Sequence, residues 1–274
     1  MQKGRFRIAW GVLSVFAVLF VVSCSSVALT GRKQLNLVPE DQMLATSTDQ
    51  YSQFMKENKV STDADQTARI KRVGARIQAA VEQYARDNNK TKDLAGYAWE
   101  FNLVESKEVN AWCMPGGKVV FYTGIMPICK DDDGVAVVMG HEVAHAVAKH
   151  GAERMSENLV VQGGGAALTA ALASKPAQTQ QLWMSAFGAG AQYGVMMPFE
   201  RGQESEADHL GLIFMAMAGY DPHHAVGFWQ RMAAGSASGD KPPEFMSTHP
   251  SDEHRIQKIQ QELPEAQKYY NKKS

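Results

Sequence analysis

A chain of 274 residues, 45% hydrophobic and 21% charged, can bury a substantial core and is not of disordered composition. The net charge is −1; the first 23 residues carry Lys3, Arg5 and Arg7 and no acid, so the remainder holds 25 basic and 29 acidic residues, a net of −4. This balance leaves no electrostatic footprint for nucleic acid, and no nucleotide-binding glycine loop is present.

The N-terminus reads as a targeting segment. After the basic start, Ile8 to Val22 is apolar except for Gly11 and Ser14, about 15 residues, short for a membrane span of ~20 but right for a signal-peptide core. It ends in Val21-Val22-Ser23-Cys24, which resembles a bacterial lipobox with Cys24 as the lipid-bearing residue. Residues 1–23 are therefore expected to be a lipoprotein signal peptide, 24–45 a tether, and 46–274 the folded domain. Ser25 and Ser26, with no aspartate after the cysteine, resemble the outer-membrane sorting pattern of Gram-negative bacteria. The expected location is the periplasmic face of that membrane, reached through a lipid anchor. Cys113 and Cys129 then remain, either as a disulfide, as two free buried thiols, or with Cys113 near a metal.

Between Asp41 and Asp87, Ile70, Val73, Ile77, Ala80 and Val81 recur at helical spacing, which predicts one or two amphipathic helices. Tyr97 to Val104 alternates like a strand. Asn110 to Thr123 reads as strand, turn, strand about Pro115-Gly116-Gly117. Helices are predicted near 133–150, 153–173, 179–192, 200–218, 222–234 and 251–262, with a stop and restart at Gly219-Tyr220-Asp221-Pro222. The fold class is α+β, a mainly helical body with a small antiparallel sheet.

His141-Glu142-Val143-Ala144-His145 places two imidazoles one helical turn apart on one face, so both reach one ion. Glu142, about 100° round the helix, approaches a water on that ion. The flanking run Val135 to Met139 and Ala144 to Ala148 is apolar, and burying two histidines and a glutamate there is costly without a partner such as zinc. A hydrolytic zinc site uses three protein ligands and one open position. Glu204 and Asp208, four apart on a later helix, suit a ligand and an acceptor for a ligand histidine's spare N–H. Read alone, this acidic stretch better suits a solvated first helical turn.

The combination of Gly140-His141-Glu142-x-x-His145 with Arg201-x-x-Glu204-x-x-Ala207-Asp208 resembles the zinc metallopeptidases that include the CAAX prenyl proteases, bacterial HtpX and the mitochondrial inner-membrane protease of that clan. Asn110-Ala…Pro115-Gly116-Gly117 and Thr248-His249-Pro250-Ser251 agree, and the likeness covers roughly residues 60 to 262. It implies a zincin-like fold, one Zn2+ held by His141, His145 and Glu204, Glu142 as catalytic base, Asp208 in support and His249 near the substrate carbonyl. A lipobox without membrane spans looks most like the periplasmic lipoprotein subgroup. The expected function is hydrolysis of misfolded or unassembled cell-envelope proteins, with polypeptides as partners and no nucleic acid. Gly117, Lys118, Val119 and Val120 are expected to offer an unpaired strand edge to an extended substrate. His249, on a proline-containing loop, is expected to be able to close the fourth zinc position and hold the enzyme latent. The competing expectation is a holdase or assembly factor with a structural zinc. Arg201 pairs with an acid near the site or lies on the surface, and His150, His209, His223, His224 and His254 receive no role.

Overall fold

The computed structural model describes residues 24–27, 29–237, 244–249 and 253–270. The expected signal peptide, residues 1–23, lies outside these, as do Pro250 and Ser251. Strands β1 (Cys24–Ser26) and β2 (Lys33–Leu35) pair antiparallel, Cys24 opposite Leu35, around a turn in which Gly31 takes φ 74°. The segment expected to be a tether thus carries a hairpin that packs on the body.

Helix α1 (Glu40–Glu57) follows Pro39 and places Glu40 and Asp41 in its first turn, where carboxylates suit the helix dipole. Helix α2 (Ala64–Asp87) is capped by Asp63, whose side chain accepts from Gln66 N at 2.9 Å. Its predicted stripe from Ile70 to Val81 is buried. Strand β3 (Glu100–Val104) is followed by the hairpin β4 (Ala111–Met114) and β5 (Lys118–Tyr122), turned by Gly116 and Gly117 at φ 89° and 80°. The sheet order is β3-β5-β4, with β4–β5 antiparallel and β3–β5 parallel, so the sheet is mixed.

This order corrects the substrate-edge expectation. Lys118, Val119 and Val120 lie on the central strand, bonded on both sides, and are buried. Gly117 faces the Trp99 ring, which a Cβ would meet at 2.6 Å. Their apolar run marks a strand buried on both faces rather than an open one.

Then follow α3 (Met126–Cys129), α4 (Asp132–Val147), α5 (His150–Leu172), α6 (Ala177–Ala191), a π turn (Gln192–Met196), α7 (Met197–Met217), α8 (His224–Ala237), α9 (Glu244–Thr248) and α10 (Glu253–Tyr270). Asp131 caps α4 by accepting from Gly134 N at 2.9 Å, and every residue from Gly134 to Val147 is buried. Such a helix, apolar all round, belongs in the centre of the body. It packs along α7, with β4 and α2 on other sides. At the crossing of α4 and α7 the backbones touch: a Cβ on Gly140 would sit 2.7 Å from Gly211 O. The mainly helical α+β reading holds, with a zincin-like arrangement of sheet beside helix. No helix of the described residues is long and apolar enough to cross a membrane.

Candidate metal centre

α4 presents His141, Glu142 and His145, α7 presents Glu204 and Asp208, and His249 follows α9. Helical spacing alone aligns His141 with His145 and Glu204 with Asp208, and the α4–α7 crossing brings the two pairs together. His141 Nε2 lies 3.1 Å from His145 Nε2 and 3.4 Å from Glu204 Oε2. His145 Nε2 lies 3.2 Å from Glu204 Oε1. His249 Nδ1 is 3.1 Å from His141 Nε2 and 2.9 Å from Glu204 Oε1. Ligand atoms bound at 2.0–2.1 Å in a tetrahedron stand about 3.3 Å apart. The four side chains therefore fit one zinc ion on donor chemistry and on spacing.

The electrostatics of the four side chains differ. Burial would raise Glu204, but hydrogen bonds from His141, His145 and His249 hold its carboxyl well below the usual range. Burial also acts to lower His141, yet Asp208 and Glu204 outweigh it and lift the imidazole to about 9. Burial pushes His145 well below its ordinary value, keeping it neutral as a ligand must be. Glu142 is raised by burial, and its Oε1 is buried without a hydrogen-bond partner, 3.4 Å from His249 Nε2.

His141 and His145 are each held from behind. His141 Nδ1 lies 3.0 Å from Asp208 Oδ1. Asp208 is gripped by Arg255, whose Nε and Nη2 donate at 2.8 and 2.7 Å in a two-pronged pair. The Arg255 guanidinium stacks 3.5 Å above the Trp229 ring and reaches Glu204 Oε2 at 3.3 Å. His145 Nδ1 lies 2.8 Å from Nδ1 of the fully buried His150, whose Nε2 reaches Glu206 Oε2 at 3.0 Å. Glu206 accepts from the Thr30 hydroxyl and from Arg32 Nε, the latter at 2.6 Å. Arg32 Nη1 and Nη2 donate to the two Glu153 oxygens at 2.8 and 2.6 Å.

His150, Arg255 and Arg32 are the residues that sequence reasoning missed. Five positions after His145, a continuous helix would turn His150 about 140° away; the chain instead breaks at Lys149, φ 60°, and restarts. Arg255 and Arg32 are far along the chain from their partners and share no spacing rule with them. Arg201 is exposed, and the cation beside the site is Arg255. Cys113 and Cys129 are free thiols, so the disulfide expectation is not met. Cys129 closes α3, where its carbonyl packs under Gly134, while Cys113 sits on β4 near Glu142, and burial raises both thiols. Among the described residues neither joins the donor cluster.

The sequence profile of peptidase family M48 matches residues 71–263. The chain belongs to peptidase family M48. It is a metalloendopeptidase, and it is 33% identical to the mitochondrial metalloendopeptidase OMA1 of Schizosaccharomyces pombe over 96% of this chain and 74% of that one. The human mitochondrial metalloendopeptidase OMA1 is 30% identical over 98% of this chain, which spans 52% of it. The beta-barrel assembly-enhancing protease of Yersinia pestis is 31% identical over 58% of this chain and 33% of its own length. This M48 chain thus spans three quarters of the first relative and about half or less of the other two. The relatives matched along nearly the whole chain, from fission yeast, cattle and human, are named as mitochondrial. They overturn the Gram-negative outer-membrane placement expected from the serines after Cys24.

Proposed function

We propose that the chain is a zinc-dependent endopeptidase in which His141, His145 and Glu204 hold the metal and Glu142 is the general base. Zinc bound there would supply Lewis-acid activation of a water and of the scissile carbonyl. The observation that carries the reading is the Glu142 carboxylate, buried beside the donor cluster with Oε1 lacking a hydrogen-bond partner. A carboxylate so desolvated takes up a proton readily, and the same oxygen returns it to the leaving amine. Asp208, fixed by Arg255, holds the His141 ring in the tautomer that leaves Nε2 free for the metal. His150 does the same for His145.

His249 occupies the space between Glu142 and the three ligands, 3.4 Å from the first and 2.9 Å from Glu204. We assign it as a fourth donor that keeps the resting site closed, leaving when substrate enters. Substrate pairing is assigned to β4. The outer edge of β3 is partly taken by the Val60–Val104 bridge, while the outer edge of β4 pairs with no named strand among the described residues. Main-chain pairing selects extended polypeptides, so the substrates are misfolded or unassembled proteins.

The test is Glu142→Gln. Zinc content should stay unchanged while casein cleavage falls about 10²–10⁴-fold. A wild type that never cleaves casein, yet suppresses client aggregation as well as the variant does, would replace this reading with the holdase.

A further inference from the structure

Residues 158–199 contain one charged side chain, Lys175. At the chain's 21% charged share this stretch would hold about nine. It folds as a helical arm, the outer part of α5 returning through α6 and the π turn to α7. The two helices meet at small residues, the Phe187 ring lying over Gly164, where a Cβ would stand 3.1 Å from it. Beyond Asn158 the arm has little core of its own: Leu172 is buried on α5 and no residue is buried on α6. Leu159, Val160, Leu182, Trp183, Tyr193 and Phe199 are all exposed, Tyr193 by 72% and Leu182 by 69%.

An apolar, uncharged helix pair standing in water lacks the cover that such surfaces have elsewhere in this fold. Protein interfaces have polar rims and are enriched in arginine, and this arm offers no arginine or acid between Glu157 and Glu200. Its composition instead matches a lipid boundary: small residues where the helices touch, tryptophan and tyrosine exposed, and no span long enough to cross. The chain ahead of β1 contains the apolar run Ile8 to Val22 preceded by three basic residues. The β1–β2 hairpin that this run leads into packs on α5, so both membrane-seeking segments reach the same helix. We propose that the α5–α6 arm lies in the headgroup–acyl boundary of a bilayer and seats the metal centre at the membrane surface. The arm joins the body between His150, which backs His145, and Glu204.

Hydrogen exchange of the full chain, with and without phosphatidylcholine–phosphatidylglycerol vesicles, reads the arm separately from residues 1–23. Amides of 158–199 should exchange at least about tenfold more slowly on vesicles. Brominated acyl chains should quench the wild type more than Trp183→Phe, and Leu182→Glu should remove the protection of the arm without changing the melting temperature. Unchanged exchange in 158–199 on vesicles overturns the proposal. So does protection in lipid-free solution that grows with protein concentration, which would assign the arm to a second copy, or protection by unfolded casein alone, which would assign it to a client.

Discussion

Replacing Gly140 by alanine probes how the two helices that carry the donor cluster are spaced. The new Cβ would lie 2.7 Å from Gly211 O, and ordinary contact begins near 3.4 Å, so α4 and α7 must part by about 0.7 Å. The contact is with backbone, so no side-chain rotamer relieves it. His141 is the next residue and Glu204 lies two turns back along α7, while metal ligands tolerate shifts of only ~0.2 Å. Overpacking of this kind costs about 1–3 kcal/mol, a fall in melting temperature of about 2–10 °C. Zinc affinity, read by chelator competition, should fall at least about tenfold. Gly202→Ala is the control on α7, where the Cβ meets nothing within 4 Å; it should gain about 0.5–1 kcal/mol. A Gly140→Ala protein that melts within about 1 °C of the parent and holds zinc equally would refute the argument.

His249→Ala should raise basal casein cleavage several-fold; a fall instead would make His249 a stabiliser of the developing oxyanion and end the latency assignment. Asp208→Asn removes one of the two carboxylates facing Arg255 and leaves it Glu204 and the Trp229 ring, so thermal melts should show a loss of about 1.5–3 kcal/mol and chelator competition a zinc affinity lower by about 10–100-fold. Both carboxyl oxygens of Glu157 are buried without a hydrogen-bond partner, and burial and then the nearby Glu153 raise its pKa to about 7. Its folded pKa is above the unfolded value, so this group's contribution is present below about pH 4.5 and is lost as pH rises through about 7. Glu157→Gln should therefore leave melting at pH 4.5 unchanged and stabilise at pH 8 by up to about 3 kcal/mol. Equal effects at the two pH values would show that the charge is not the cause.

The proposed donor set was legible in part by local rule: the histidine pair stood out by its spacing, whereas Glu204 and Asp208 read alone favoured a solvated helical turn and were singled out only by the family resemblance. His141 with His145 and Glu204 with Asp208 are i,i+4 pairs, and the helices carrying them announce themselves by apolar period. The hairpin about Gly116 and Gly117 was equally readable from its turn chemistry. What periodicity does not encode is which strand becomes central: Lys118 to Val120 look like any strand until β3 joins on the other side. Nor does it encode contacts between distant segments. Arg255 meets Asp208 only because α10 folds back on α7, and His150 reaches His145 only because the helix breaks at Lys149.

The M48 match begins at residue 71, yet the polar chain behind His145 runs through His150 and Glu206 to Arg32. A fragment cut to residues 71–263 would retain each proposed ligand and the proposed base. It would also leave Glu153 and Glu206, both buried, without the cation they share. The smallest self-sufficient enzyme is therefore larger than its catalytic inventory, and its boundary is drawn by a counter-ion rather than by a ligand.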